Sequence, residues 1–238
     1  MGSGDDEFFS TRKVIKKNLW QCLWILLGNY VISGLPVLEA RSAIPSMIKI
    51  PGGSFVQGKP IGAGAAGKTT EFLETFFIDS HEVSNREFSR QFPGHAFRSG
   101  ADAHPVSDVT WLEAQAYCRK VGKRLPSGAE WEKAARGPDG RLYPWGDKVP
   151  KKKPHPYYSG LVKRRVGLNR RDVSIYGVRD MAGSVWEWTA DRVGGKAATR
   201  GGLWNFHLDY EYSKTFERNL LAPESRFLFL GFRCARSE

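Results

Sequence analysis

Cysteine, methionine and histidine are scarce in this chain: its 238 residues hold three, three and five of them. Three cysteines, at positions 22, 118 and 234, are too few for a disulfide-framework protein and too scattered for a zinc site. The histidines (His81, His95, His104, His155 and His207) show no paired helical spacing, so each reads as a surface or hydrogen-bonding residue rather than a metal ligand. No internal repeat is present. Acids are outnumbered, 25 against 36 Lys and Arg, and the net charge of +11 favours anionic partners without identifying one. A hydrophobic content of 41% with 13% aromatics excludes a disordered chain. The 26 glycines, 13 prolines and eight tryptophans point to a loop-rich fold with short elements rather than a helical bundle. Without an N-terminal segment, about 195 residues remain, enough for one domain to bury roughly 70% of its unfolded surface.

That N-terminal segment bears on the compartment. Residues 1–18 are polar and end in a basic group, Arg12, Lys13, Lys16 and Lys17. A mostly apolar run from Leu19 to Leu38 comes next, and Ala40-Arg41-Ser42 sets small residues on either side of a larger one, as signal peptidase requires. The expectation is an export signal over residues 1–42 and a domain over 43–238, in a periplasmic or secreted protein. The alternative is an uncleaved anchor over 19–38, since about 20 residues span a bilayer. Gln21, Asn29 and Pro36 weigh against that reading. An amphipathic helix of the domain itself is the third. The segment contributes one charge of the eleven, so the basicity belongs to the domain.

Three places carry one helix-start pattern, a hydroxyl with Glu three residues later: Ser84 to Glu87, Thr110 to Glu113 and Ser127 to Glu130. Each side chain can satisfy the other's free backbone N–H. The second helix presents Ala114, Tyr117, Cys118 and Val121 on one face and stops at Gly122; the third runs from about Glu130 to Arg136. Short strands are expected at 47–50, 72–79 and 228–234, and a long polar loop over 148–171 carries Lys151-Lys152-Lys153, Lys163-Arg164-Arg165 and Arg170-Arg171. The fold class is α+β, irregular, with about three helices. Residues 62–69 match the phosphate-binding pattern G-x-x-x-x-G-K-[ST]. The residues after Thr69 read as a strand, however, not as the helix whose N-terminus would meet the phosphates. The match reads as a surface loop.

Longer motifs are specific. Ile50-Pro51-Gly52-Gly53-Ser54-Phe55, Glu82-Val83-Ser84-Asn85, Gly122-Lys123-Arg124-Leu125-Pro126-Ser127 with Glu130-Trp131-Glu132, Tyr143-Pro144-Trp145-Gly146-Asp147, Asp180-Met181-Ala182-Gly183-Ser184-Val185-Trp186-Glu187-Trp188, Arg200-Gly201-Gly202 and Gly231-Phe232-Arg233-Cys234 occur in order. In content and spacing, from about residue 47 to 236, the chain resembles the formylglycine-generating enzyme, or sulfatase-modifying factor, family. The resemblance implies a variant of the C-type-lectin fold.

The same resemblance sets expectations for chemistry. Family enzymes use copper held by two cysteines shortly after the Arg-Gly-Gly motif; soft thiolates suit Cu(I) and exchange with a substrate thiol. Here those positions fall on Phe206 and near Tyr210 or Glu211, and no cysteine lies between Cys118 and Cys234. Formylglycine generation by that mechanism is not expected, nor is copper. Iron is not expected either, because the iron-dependent branch needs a helical domain for which the chain has no room. The family's structural calcium implies one site of Asp180, Gly183, Val185 and Glu187, carboxylates plus carbonyls as a hard cation prefers; the alternative is that Asp180 and Glu187 only cap and pair within the turn. Ser184 stands where the family usually has Asn. A second family calcium site has no match in the 155–171 loop. The resemblance also pairs Cys118 with Cys234, against two reduced core cysteines as the alternative, and places most of the tryptophans in the core.

The 204–230 stretch lines the substrate groove in family members. It offers Phe206, His207, Asp209, Tyr210, Tyr212 and Arg218 as candidate binding residues, with Phe227 and Phe229 read as packing residues of the last strands. The expected role is an exported binding or maturation accessory whose partner is an envelope or secreted protein or an anionic ligand. Nucleic acid is not expected, and membrane contact would come only through the N-terminal segment. The alternatives are an oxidoreductase with a non-cysteine site in the same groove and a retroelement-diversified ligand-binding protein.

Overall fold

The three hydroxyl-x-x-Glu sequences read as helix starts open helices in the computed structural model, which describes residues 46–59, 67, 69–149, 165–202 and 213–238. They are α1 (Asn85–Gln91), α2 (Trp111–Lys120) and α3 (Gly128–Arg136). Ser84, Thr110 and Ser127 each accept from the Glu backbone N–H while that Glu accepts from the cap's own N–H. The reciprocal bonds satisfy donors that a helix start otherwise leaves open. α2 buries Trp111, Ala114, Tyr117 and Cys118, and α3 ends at Gly137, whose φ of 73° suits a residue without a Cβ.

Chain contacts divide the protein into Met1–Arg41 and Ser42–Glu238. The first unit, with the 19–38 run, lies outside the described residues, as does most of the phosphate-loop look-alike. Among the described residues no helix is long and apolar enough to cross a membrane.

The strands among the described residues form three sheets. β1 (Met47–Ile50), β4 (Phe76–Asp79) and β9 (Ala235–Ser237) pair antiparallel in the order β1-β4-β9. β2 (Gly53–Gln57) and β3 (Thr69–Leu73) form a hairpin. β5 (Trp186–Val193), β6 (Lys196–Arg200), β7 (Asn219–Leu221) and β8 (Leu230–Phe232) make a sheet in the order β7-β6-β5-β8, with β5 and β8 parallel. The strand expected over 72–79 is two, broken at Glu74-Thr75, because its first half pairs with β2 and its second with β1 and β9. The strand expected over 228–234 is shorter, Leu230–Phe232 only, and β9 of another sheet starts just beyond it at Ala235. A strand, not a helix, comes after Lys68.

Two apolar clusters fill the domain. One joins α1 and α2 to β5 and β8 through Phe88, Tyr117, Trp188 and Phe232; the other packs α3, through Trp131, Ala134 and Ala135, on Ile50, Phe76, Ile78 and Met181. Cys118 and Cys234 are bonded within the first, with Cα atoms 5.7 Å apart, tying α2 to the residue ahead of β9. Trp111, Trp131 and Trp188 are buried as expected, Trp145 and Trp186 half-buried, and Trp204 lies outside the described residues. Gly231 is required: a Cβ there would lie 2.3 Å from the Val106 carbonyl oxygen.

Candidate functional site

The loop from Ala222 to Phe229 connects β7 to β8 and is fastened to the start of α2. Trp111 N–H donates to Pro223 O at 2.9 Å and Asp108 N–H to Phe227 O at 3.0 Å. Arg226 donates to Asp108 O and pairs with Glu113 at 2.7 Å. Burial opposes the charge on Glu113, but hydrogen bonds from Arg226 and Thr110 outweigh it and hold the carboxyl below its ordinary range. These bonds display Phe227 and Leu228 with 51% and 62% of their surface in solvent. Phe227 therefore does not pack the last strands as expected, because the loop's hydrogen bonds turn it outward; Phe229 is half-buried.

The two exposed neighbours open onto different cavities. Phe227, with Trp186, Thr199, Asn219, Leu221 and Phe229, lines an apolar cavity of about 270 Å³ over the β5–β6–β7–β8 sheet. Its walls hold a buried Thr199 hydroxyl with no partner among the described residues. Leu228 borders a wider, more polar cavity of about 520 Å³ shared with His95, Arg98, His104 and Asp108. Of the six candidate binding residues, Phe206, His207, Asp209, Tyr210 and Tyr212 lie outside the described residues. Arg218 is exposed just ahead of β7 and acts electrostatically on Arg200. Arg200, from the Arg-Gly-Gly motif, is buried against Glu132 at 3.0 Å; Glu132 also receives Gly58 N–H at 2.7 Å and Arg136 at 2.5 Å.

The turn expected to hold calcium leads directly into β5. Asp180 and Ser184 have left-handed φ values of 57° and 85°, and Gly183 has 153°, so the backbone coils tightly between Asp180 and Glu187. Asp180 Oδ2 accepts from Gly167 N–H at 2.5 Å. Glu187 receives Arg233 on both oxygens, at 2.6 and 2.7 Å, and Trp131 Nε1–H at 2.9 Å. Two more buried acids feel the charge of the same guanidinium. Asp172 accepts Ala182 N–H at 2.7 Å through Oδ2, but its Oδ1 is buried without a partner among the described residues. Glu82 is wholly buried, and neither of its oxygens has a partner among them either. Its own backbone N–H favours the ionised form electrostatically without reaching hydrogen-bond geometry.

Arg233 thus pairs with Glu187, while its charge also favours the ionised forms of Glu82, Asp172 and Asp180. Burial pushes Glu82 well above the usual carboxylate range, and the Asp180 charge adds to it. Burial and Asp180 push Asp172 up to about 8, and burial raises Asp180 itself. Burial opposes the charge on Arg233, but Glu187, Glu82 and Asp180 together raise its pKa. Such an excess of buried acid suits a hard cation, and the donor types match calcium. Among the described residues no three His, Cys, Asp or Glu side chains converge on one point, so a cation would draw much of its shell from carbonyls such as those of Gly183 and Val185. Glu187 meets a cation only by sharing oxygens that already accept from Arg233. Sequence reasoning placed Glu82 and Arg233 within motifs but assigned neither a role, and it passed over Asp172.

Among the described residues, short strands and three helices make a mixed helix and sheet protein of the C-type-lectin-like class. The architecture overlays PvdO from Pseudomonas aeruginosa with a TM-score of 0.67 at 22% identity, covering 81% of this chain and 94% of that one. The chain belongs to the family defined by the sulfatase-modifying factor enzyme 1-like domain, which matches residues 33–238. It is 26% identical to the formylglycine-generating enzyme of Mus musculus, across 81% of this chain and 75% of the relative. It is 35% identical to the inactive C-alpha-formylglycine-generating enzyme 2 of Bos taurus, across 63% of this chain and 56% of that protein.

Proposed function

We propose that this protein is an exported, non-formylglycine-generating member of the family that acts as a binding or maturation accessory through its 204–230 surface. The observation that carries this reading is the Cys118–Cys234 bond: both cysteines of the domain are joined in the core, and the third, Cys22, precedes it. No thiol pair comes after the Arg-Gly-Gly motif to hold copper or exchange with a substrate cysteine. Within the 204–230 stretch, Phe227 and Phe229 line an apolar cavity together with Trp186. A pinned loop carrying Phe227 and Leu228 supplies contact area at low entropy cost, which suits recognition of an envelope or secreted protein. A family relative named as inactive supports a role without the family's oxidation. The periplasm or the secreted fraction is the proposed compartment.

The scaffold is proposed to carry one structural calcium at the Asp180 turn, with the Gly183 and Val185 carbonyls and a Glu187 shared with Arg233. Elemental analysis of protein recovered from an oxidising compartment tests both parts. Calcium near one per chain, with no copper or iron and no oxygen consumed with cysteine peptides, is expected. Stoichiometric copper with peptide oxidation would overturn the accessory reading.

A further inference from the structure

We propose that the apolar cavity lined by Trp186 and Phe227 is the seat of a tyrosine side chain, carried by an acidic segment of a partner polypeptide. This inference rests on the binding reading above and names the chemistry of the group bound. The walls are in place before anything binds. Trp186 pairs with Leu230 and Thr199 with Asn219 in the sheet, while the bonds from Asp108 and Trp111 hold the loop that carries Phe227 and Phe229. A dry cavity of roughly 150 Å³ holds a benzene ring. At about 270 Å³ this one accommodates a phenol ring and the methylene that joins it to a backbone.

Three aromatic walls select a flat apolar ring. One polar group selects its tip. The Thr199 hydroxyl is fully buried and has no partner among the described residues, a state that buried polar groups nearly always avoid. A ligand hydroxyl can donate to it or accept from it. Tyrosine carries its O–H on the long axis of the ring, opposite the backbone; phenylalanine has no polar tip, and the tryptophan N–H lies at the side of the ring and only donates. A free phenol would leave Phe227 and Leu228 in solvent, whereas chain on either side of a tyrosine covers both. Arg218, exposed next to Asn219, and a net charge of +11 favour carboxylates in that flanking chain.

p-Cresol, the tyrosine side chain, and toluene, the same ring without the hydroxyl, test the seat on the full-length chain labelled with 5-fluorotryptophan. A saturable shift of the Trp186 fluorine signal, assigned by its loss in Trp186→Phe, is expected with both, and p-cresol should bind about threefold to tenfold tighter. Thr199→Val should erase that preference while keeping the urea-unfolding midpoint at or above the wild-type value, because an unpartnered hydroxyl is gone. Equal affinities in the wild type, or a preference that survives in Thr199→Val, would overturn the role of the hydroxyl. So would a variant that is less stable or fails to fold, since Thr199 would then have a partner within the domain. The peptide Asp-Asp-Tyr-Asp-Asp should bind more tightly than p-cresol and than Lys-Lys-Tyr-Lys-Lys; a peptide weaker than p-cresol would overturn the polypeptide partner. Self-association that p-cresol reverses would assign the cavity to a second copy instead. No shift with either ring, while Phe227→Ala still loses an envelope partner, would overturn the tyrosine seat and spare the binding surface; no shift and no loss would overturn both.

Discussion

Arg233 and Glu187 meet side by side in the domain interior, Nε to Oε2 at 2.6 Å and Nη2 to Oε1 at 2.7 Å, with neither side chain reaching solvent. The pair joins β5 to the residue just after β8, and Trp131 of α3 donates to the same carboxylate. It therefore connects the two apolar clusters. Removing one partner leaves the other buried without compensation. Arg233→Met is expected to destabilise the protein by about 3–5 kcal/mol. A urea-unfolding midpoint close to that of the wild type would show that the pair is dispensable.

The disulfide closes a loop of 116 residues between α2 and the C-terminal segment. In the chain-entropy model a bond of this span stabilises by up to ~4.7 kcal/mol. Reducing it, or replacing both cysteines with Ala, should lower stability by a few kcal/mol, measured by equilibrium unfolding with and without reductant. An unchanged unfolding curve would mean that residual structure already restricts the unfolded chain across this loop.

At the start of α3, Ser127 caps while Glu130 accepts from Ser127 N–H at 2.8 Å and pairs with Arg124 at 2.6 Å. Ser127→Ala is expected to cost about 1 kcal/mol, the usual value of a lost N-cap. Thermal unfolding of the variant, with helix content monitored by circular dichroism, provides the check.

Glu113 predicts a small acid-side effect. Its folded pKa lies below the ordinary 4.5, because the bonds from Arg226 and Thr110 outweigh burial. The folded state thus binds this proton less readily than the unfolded chain. The stability it adds is present above the ordinary value and is lost as pH falls through the lower folded one. The pair is largely exposed, so the effect should stay below about 1 kcal/mol and shrink in salt. Comparing Glu113→Gln with the wild type at pH 7 and pH 3 measures it; a difference that grows toward pH 3 would contradict the assignment.

Phe227→Ala and Leu228→Ala separate binding from folding. Both side chains are mostly in solvent, so each substitution should change stability by no more than about 0.5 kcal/mol. If this loop carries recognition, retention of an envelope partner by immobilised protein should fall about tenfold or more. Retention at wild-type level would remove the loop from the binding surface.

Local chemistry made much of the framework legible. Three capping boxes announced three helices because hydroxyl and glutamate satisfy each other's backbone donors within four residues; the same spacing from Ser184 to Glu187 runs into β5 instead, where Arg233 and Trp131 take the carboxylate. Ordered motifs pointed to the scaffold and to the Cys118–Cys234 pairing. Strand boundaries were not legible at Glu74-Thr75 or between Phe232 and Ala235, where the chain passes from one sheet to another within two residues; only the partner strands reveal the break.

The sequence by itself determined that the cysteine pair needed for copper is missing after the Arg-Gly-Gly motif, since a count needs no geometry. Tertiary structure decided which acids meet. Glu82, Asp180 and Glu187 span more than a hundred positions, yet all three act on the charge of Arg233 because β4, the 179–187 segment and β8 are brought together by backbone bonds between distant strands and loops. A carboxylate's partners, burial and charge depend on that assembly, and no local pattern records it. The outward turn of Phe227 has the same origin: its direction is set by hydrogen bonds to Asp108, far from it along the chain.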